Sequence, residues 1–154
     1  MAQFSEAASF GEAQFYADAF FGGAQFSSAA DFDDAQFSHL AFFRKTQFSG
    51  PASFGKAQFP LGATFEEAQF SRRVSFREAQ FSSDADFDGV RFSGRAVFDG
   101  AQFSGGRALF EGRSSPVMPN SKGRSSPMMP TSLTPLSLLG PSLRQRSSPH
   151  PTRP

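Results

Sequence analysis

The sequence predicts an all-β solenoid of about five stacked coils, and three features of residues 2–112 carry this prediction. Phe recurs at steps that alternate between six and five residues without exception, so the true period is 11. A small residue stands two positions before each Phe, and Ala fills 16 of these 20 places. Polar turn pairs such as Ser-Gly, Asp-Gly and Glu-Glu follow the Phe residues. The series is Phe4, Phe10, Phe15, Phe21, Phe26, Phe32, Phe37, Phe43, Phe48, Phe54, Phe59, Phe65, Phe70, Phe76, Phe81, Phe87, Phe92, Phe98 and Phe103, with Leu109 expected as its last member.

The local backbone of each unit is predicted to be extended. An 11-residue period also suits a helix of about 3.67 residues per turn. At about 100° per residue, the Ala and Phe positions would spread around a helix axis and form no apolar stripe. In a strand, residues two apart point the same way, so Ala and Phe share one face and the residue between them faces water. Each unit is therefore a very short strand plus a corner, and the coils must stack to bury the Phe rings.

Every second step carries one added residue, which we expect to form a bulge at a corner, outside the strand ladder. Two long and two short steps make a coil of about 22 residues, so equivalent rings of successive coils should stack in four interior ladders. Five coils at about 4.8 Å per strand would make a rod about 24 Å long. The added residues are Ala7, Asp18, Ala29, Leu40, Pro51, Gly62, Arg73, Asp84, Arg95 and Gly106.

The units Ala-Gln-Phe-Ser-Xaa and Ala-Xaa-Phe-Xaa-Gly resemble those of the pentapeptide-repeat family, which centre on Leu or Phe with Ala two residues earlier. The resemblance covers residues 2–112, about three quarters of the chain. It implies a right-handed quadrilateral β-helix, with four faces per coil and with the Phe and the small residue pointing inward. The six-residue steps depart from the uniform five-residue step of a regular array.

The composition excludes several classes of chemistry. The chain has 154 residues and no Cys, which rules out disulfides, thiolate metal sites and cysteine nucleophiles. Its two histidines, His39 and His150, are too few for a His-rich metal site. No apolar run approaches the roughly 20 residues of a membrane span, and the N-terminus lacks the layout of a signal peptide. We therefore expect a cytoplasmic protein.

Residues 113–154 differ from the array in composition and charge. Residues 1–112 carry 14 acidic and 9 basic side chains, a net charge of −5, whereas residues 113–154 carry no acidic and 6 basic ones, a net charge of +6. Ser, Pro and Arg replace Phe in this part. Such a composition predicts a disordered tail over residues 113–154, following a solenoid over residues 2–112.

The tail retains the period of the array. Arg-Ser-Ser-Pro begins at Arg113, Arg124 and Arg146, with spacings of 11 and 22 residues. The nucleotides GCG CAG TTC TCC encode Ala-Gln-Phe-Ser, and read one base later they encode Arg-Ser-Ser-Pro. One hypothesis is that residues 113–154 are a frameshifted continuation of the repeat, and the other is an ordinary basic tail. The coding DNA decides, because the shifted frame must yield Phe- or Leu-centred units at the same period.

Two acidic groups resemble fragments of Ca²⁺-binding loops but lack the Gly and the distal Glu that such a loop needs. We expect their carboxylates to lie on the surface, at outward or corner positions. The six residues are Asp31, Asp33, Asp34, Asp84, Asp86 and Asp88. The tetrapeptide Asp86-Phe87-Asp88-Gly89 is interpreted as repeat filling, because the other kinase motifs are absent.

The remaining polar residues also predict surface roles. His39 should be exposed at a corner, and the regular Gln residues should form a hydrogen-bonding ladder on the outside. The Ser residues have no general base at a matching position, so nucleophilic catalysis is unsupported. We therefore assign no catalytic, cofactor-binding or metal-binding residue, and no cofactor.

The pattern favours a non-enzymatic scaffold whose outer faces contact an unidentified protein. The resemblance also implies an alternative, a DNA-mimicking binder of DNA gyrase or another type II topoisomerase, which is a role of some pentapeptide-repeat proteins. Mimicry requires a strongly negative face, whereas the array is only −5. Its later coils also carry Arg72, Arg73, Arg77, Arg91 and Arg95. No specific nucleic-acid binding is expected, and uncapped coil ends predict self-association.

Overall fold

Residues 1–111, the part that the computed structural model describes, form four parallel sheets of five strands each. Strands 22 residues apart pair in register, as Gln3 with Gln25 and Phe4 with Phe26. The chain therefore passes once through all four sheets in each coil, and the predicted all-β solenoid with a 22-residue coil is confirmed. We number the coils 1 to 5 (residues 2–23, 24–45, 46–67, 68–89 and 90–111).

Each sheet is one outer face of the stack, and every strand has two residues. Face 1 contains β1 (Gln3–Phe4), β5 (Gln25–Phe26), β9 (Gln47–Phe48), β13 (Gln69–Phe70) and β17 (Arg91–Phe92). Face 2 contains β2 (Ala8–Ser9), β6 (Ala30–Asp31), β10 (Ala52–Ser53), β14 (Val74–Ser75) and β18 (Ala96–Val97). Face 3 contains β3 (Gln14–Phe15), β7 (Gln36–Phe37), β11 (Gln58–Phe59), β15 (Gln80–Phe81) and β19 (Gln102–Phe103). Face 4 contains β4 (Ala19–Phe20), β8 (Ala41–Phe42), β12 (Ala63–Thr64), β16 (Ala85–Asp86) and β20 (Ala108–Leu109).

The repeated Phe rings fill the axis of the stack. Rings on the same face lie parallel, with centroids 4.6–5.5 Å apart from coil to coil. Rings of faces 2 and 4 also meet edge to face across the axis, as Phe43 does with Phe32 and Phe54 at 5.4 and 5.3 Å. Stacking along the axis and edge contacts across it are both favoured aromatic geometries. The predicted interior ladders are therefore present, and faces 2 and 4 interlock into one herringbone column.

The small residue two positions before each Phe is also buried in the middle of the stack. Ala in this position is 0–8% exposed from coil 2 to coil 4 and at Ala96. Thr46 takes the same position and is fully buried, and its hydroxyl donates to the carbonyl oxygen of Phe21 at 2.8 Å. The hydrogen bond explains how a polar residue replaces Ala there, since a buried hydroxyl without a partner is costly.

The corner after each face-2 or face-4 strand from β2 to β18 is a tight turn. The N–H of the fourth residue donates to the carbonyl of the first, as Ala35 does to Phe32 at 3.2 Å. The third residue has a positive φ, as in a type II turn. Gly occupies that place at Gly23, Gly89 and Gly100, whereas Asp34 and Lys56 adopt it at 57° and 56° without being Gly.

The other two corners contain the added residue, and here the sequence prediction is wrong in one respect. The added residue is not left out of the ladder, because its carbonyl accepts a bond from the preceding coil. Pro51 accepts from the N–H of Ala30 at 3.0 Å, and Leu40 accepts from that of Ala19 at 2.9 Å. The added residue instead stands directly before the next strand and begins its hydrogen bonding, as Pro51 does before β10.

The predicted position of Leu109 is also wrong. The structure pairs Ala85 with Ala108 and Asp86 with Leu109, so Leu109 lies at an outward position. Phe110 takes the interior position instead, and its ring stacks on that of Phe87 at 4.8 Å. One further residue in the corner at Gly105–Gly106 produces the shift, and Gly106 adopts a φ of 91° there.

The predictions for residues 113–154, a disordered tail and a frameshifted repeat, lie outside the described residues and stay predictions. Within residues 1–111, no helix is long and apolar enough to cross a membrane.

Candidate interaction surface

The interior of the stack leaves no place for a ligand, so the outer faces are the candidate site. Interior rings of coils 2 to 4 are at most 2% exposed, and within residues 1–111 every buried side-chain nitrogen or oxygen has a hydrogen-bond partner. The outward positions of the strands and the corners carry the remaining chemistry.

One region of this surface is apolar and is called the apolar strip. It consists of Tyr16, Phe20, Leu40, Phe42 and Leu61, which lie on face 4 and on the corner between faces 3 and 4 in coils 1 to 3. Tyr16 is 74% exposed, Phe20 75%, Leu61 53% and Leu40 40%. Within the described residues, these are four of the six large apolar side chains that are exposed. Their concentration on one corner marks a patch rather than the scattered apolar residues of an ordinary surface.

Two Phe rings form the centre of the strip. Phe20 and Phe42 are outward residues of β4 and β8, and their rings stack in parallel at 4.9 Å. Beside them, a shallow groove of about 200 Å³ runs past Leu40, Phe42 and Leu61 toward Asp84 and Asp86. The strip therefore combines a flat aromatic surface with a groove that has carboxylates at one end.

Sequence reasoning missed this strip. It treated Phe as the interior residue, whereas Phe20 and Phe42 stand directly before interior Phe residues and out of phase with the 11-residue series. Their separation of 22 residues was the available signal, because it places the two side chains on the same face of successive coils.

The first acidic group lies at outward and turn positions, as predicted, but it also has a structural role. The Asp33 carboxylate accepts a hydrogen bond from the N–H of Gly55 in the next coil at 2.6 Å and another from the Ser53 hydroxyl. The Asp31 carboxylate accepts from the N–H of Asp33 at 2.9 Å. These carboxylates bind the backbone of the corners, and Asp34 is exposed.

The second acidic group is arranged similarly. The Asp86 carboxylate accepts from the N–H of Asp88 at 2.8 Å, and the Asp84 carboxylate accepts from the N–H of Arg107 at 2.7 Å. Within residues 1–111, no group of three or more His, Cys, Asp or Glu side chains is placed to hold a metal ion. Phe87 of the Asp-Phe-Asp-Gly segment is an interior ring, and Gly89 is the positive-φ residue of its turn, as repeat filling predicts.

His39 is exposed at a corner, as predicted, with its Nδ1 4.0 Å from a carboxylate oxygen of Asp18. The Gln residues do align along faces 1 and 3, but the predicted hydrogen-bonding ladder is largely absent from the described residues. Their one Gln–Gln side-chain bond joins Gln3 to Gln25 at 3.4 Å.

Charged side chains of both signs occupy the corners. Arg44 pairs with Glu66 at 3.1 Å, Lys45 with Glu67 at 3.6 Å, and Arg77 with Asp99 at 3.6 Å, each pair joining successive coils. The remaining exposed arginines lie on coils 4 and 5. They are Arg72, Arg73, Arg91, Arg95 and Arg107. Surface pairs such as these contribute about 0–1 kcal/mol each, so they adjust the surface charge more than the stability.

Comparison with known proteins agrees with the repeat. A family model described as pentapeptide repeats, in nine copies, matches residues 32–80 and 65–112, and the two matches together span more than half of the chain. No curated protein and no solved structure matches the chain. The match includes the interior rings from Phe32 to Phe110, whose stacking defines the array. The chain is a member of the pentapeptide-repeat family.

Proposed function

We propose that this protein is a non-enzymatic scaffold that binds another protein through the apolar strip. The observation that supports it is the parallel pair of Phe20 and Phe42 on the outside of the stack, continued by Leu40 and Leu61. These side chains contribute nothing to the interior. Thr64 and Asp86 occupy the same outward position in coils 3 and 4, so the fold itself does not require an aromatic residue there.

The chemistry of the strip indicates the kind of partner. Aromatic side chains bury much apolar area at low entropic cost and are enriched at the centres of protein interfaces. A partner segment with apolar side chains would cover the two rings and enter the groove beside Leu61, while a basic residue would meet Asp84 or Asp86 at its end.

The experiment replaces Phe20 and Phe42 with Thr, because Thr64 occupies the equivalent outward position in coil 3. Phe20→Thr/Phe42→Thr should fold with unchanged circular dichroism and lose the proteins that the wild-type chain retains after cross-linking in extracts of its own cells. The control Gln36→Thr changes an exposed outward strand residue on face 3 of coil 2 and should retain the same proteins. Equal retention by the double variant would contradict the proposal.

The DNA-mimic alternative stays a prediction. The described residues support it less, since acidic corners of coils 3 to 5 alternate with Arg72, Arg73 and Arg95 and no face is uniformly negative. A gyrase supercoiling assay tests it directly, and the absence of inhibition at equimolar protein would remove it.

A further inference from the structure

Hydrogen bonds between neighbouring coils follow a fixed direction where they flank the strands. On faces 1 and 3 the later coil donates, as the N–H of Gln25 does to the carbonyl of Ala2 at 3.0 Å. On faces 2 and 4 the earlier coil donates, as the N–H of Phe10 does to the carbonyl of Asp31 at 2.7 Å. The two edges of the stack therefore differ in polarity.

Within residues 1–111, the groups that would continue this pattern have no backbone partner at either edge. On coil 1 they include the N–H groups of Gln3, Ser5, Gln14 and Tyr16. On coil 5 they include the carbonyls of Val90, Phe92, Ala101 and Phe103, and the N–H groups of Ala96, Phe98, Gly100, Ala108 and Phe110. Unpaired strand edges of this kind are templates for pairing with another chain.

The two edges complement each other. Coil 1 placed on coil 5 of another copy would repeat the interface that already exists between coils, because equivalent positions of successive coils face each other on all four faces. The N–H of Gln3 would then meet the carbonyl of Val90, as that of Gln25 meets Ala2. The edge rings would be covered too, since Phe4 is half-buried and Phe110 is 43% exposed.

The charges of the two edges are also complementary. Coil 1 carries Glu6, Glu12 and Asp18 and no Lys or Arg. The carbonyl of Arg95 accepts from the N–H of Val74, so Arg95 lies in the same corner column as Ala7, next to Glu6. A following copy would place its Glu6 beside Arg95, whereas two coil-1 edges face to face would bring three carboxylates against three.

The carboxylate of Asp18 has a similar counterpart at the other end. The carbonyl of Arg107 accepts from the N–H of Ala85, in the corner column in which the carbonyl of Asp84 accepts from the N–H of Ala63. Asp18 starts this column in coil 1, where its carboxylate accepts from the N–H of Leu40. In a stack of copies, the Asp18 of one copy would therefore lie next to the Arg107 of the copy before it, in the same corner column.

We infer that copies of this chain associate head to tail, with the coil-1 edge of one copy seated on the coil-5 edge of another, so that the ladder, the ring columns and the Arg95–Glu6 and Arg107–Asp18 pairs continue between molecules. The coil-1 edge shares Tyr16 with the apolar strip, but the edge uses the backbone N–H of this residue and not its side chain, and the inference does not depend on the proposed function. Such a contact is heterologous and leaves a free edge at each end, so it generates an open series of oligomers.

Sedimentation velocity of the full 154-residue chain tests the arrangement. The expected result is a series of species whose mean mass keeps rising over about a hundredfold range of concentration, as an open heterologous contact requires. A monomer at every concentration, including one in which residues 113–154 cover the coil-5 edge, would overturn the inference. A dimer that does not grow further would overturn it as well.

A charge exchange tests which edges meet. Glu6→Arg places two cations together and should weaken association by up to about fivefold, since an exposed pair is worth up to about 1 kcal/mol. Glu6→Arg/Arg95→Glu should restore it. The control Arg73→Glu lies in the same corner column one coil further in and should leave association unchanged. Failure of the double variant to restore association, with circular dichroism unchanged, would contradict head-to-tail stacking.

A backbone variant tests the ladder itself. Tyr16→Pro removes an N–H that has no partner within residues 1–111, and Pro60 occupies the same position of coil 3, so the fold accepts Pro there. Tyr16→Pro should weaken association, whereas Tyr16→Ser keeps the N–H and should not. If both variants weaken association equally, the tyrosine side chain and not the strand edge makes the contact, and the inference fails.

Discussion

At the residue scale, the corners between faces 1 and 2 bring successive coils so close that some positions have no room for a side chain. A Cβ added to Gly50 would lie 2.3 Å from the carbonyl carbon and oxygen of Ser28, and one added to Gly94 would lie 2.4 Å from the carbonyl carbon of Arg72. The obstacle in both cases is the backbone of the neighbouring coil and not the end of a flexible side chain. Gly is required at these two positions because the neighbouring coil lies too close for a side chain, although neither residue has a positive φ.

Gly50→Ala should therefore lower the free energy of unfolding by about 1–3 kcal/mol, the usual range for overpacking. Gly22→Ala is the matched control, because its added Cβ would have only an ordinary contact, 3.6 Å from the carbonyl oxygen of Arg44. That variant should be neutral or stabilising by up to about 1 kcal/mol. Urea denaturation measures both, and equal effects would show that the close approach is not limiting.

At the element scale, the two-residue strands of faces 1 and 3 depend on the N–H of the residue that follows each Phe. On face 3, the N–H of Ser38 donates to Phe15 at 2.9 Å, and that of Ser82 donates to Phe59 at 3.1 Å. Pro60 has no N–H to donate, and β7 pairs with β11 through Gln36 and Gln58 alone. A single residue next to a strand thus decides half of its pairing.

Ser82→Pro should lower the free energy of unfolding by about 1–3 kcal/mol, because it leaves the carbonyl of Phe59 without its partner. Tyr16→Pro at the coil-1 edge is the matched control and should change the stability of the isolated chain little. Thermal unfolding in dilute solution compares the two. Equal destabilisation would indicate that the proline ring, rather than the lost hydrogen bond, is responsible.

At the scale of the whole molecule, each coil contacts only its neighbours, so stability should be highest in the middle of the stack. Interior rings of coils 2 to 4 are at most 2% exposed, whereas those of coil 1 are half-buried. Hydrogen exchange read by mass spectrometry in dilute solution should find the slowest amides in coil 3 and faster ones in coils 1 and 5. Uniform protection along residues 1–111 would contradict this gradient.

The sequence was sufficient for the stack and insufficient for its surface. The period of the Phe residues predicted the interior because burial acts on every coil in the same way, so each repeat adds evidence for the same packing. It could not place Leu109 and Phe110, since the shift arises in a Gly-Gly corner that has no side chains to signal it. The apolar strip and the edge polarity were also not predicted, because one depends on single departures from the pattern and the other on hydrogen-bond directions.

The herringbone column has a consequence for how such a chain could change length. Faces 1 and 3 carry the same kind of strand, and so do faces 2 and 4, so the packing repeats after half a coil. A tandem duplication of one whole coil in the gene would add one coil to the stack and leave the orientation of all later coils unchanged. A duplication of half a coil would bury its rings equally well but rotate all later coils by half a turn, moving any docking patch on them to the opposite side of the rod.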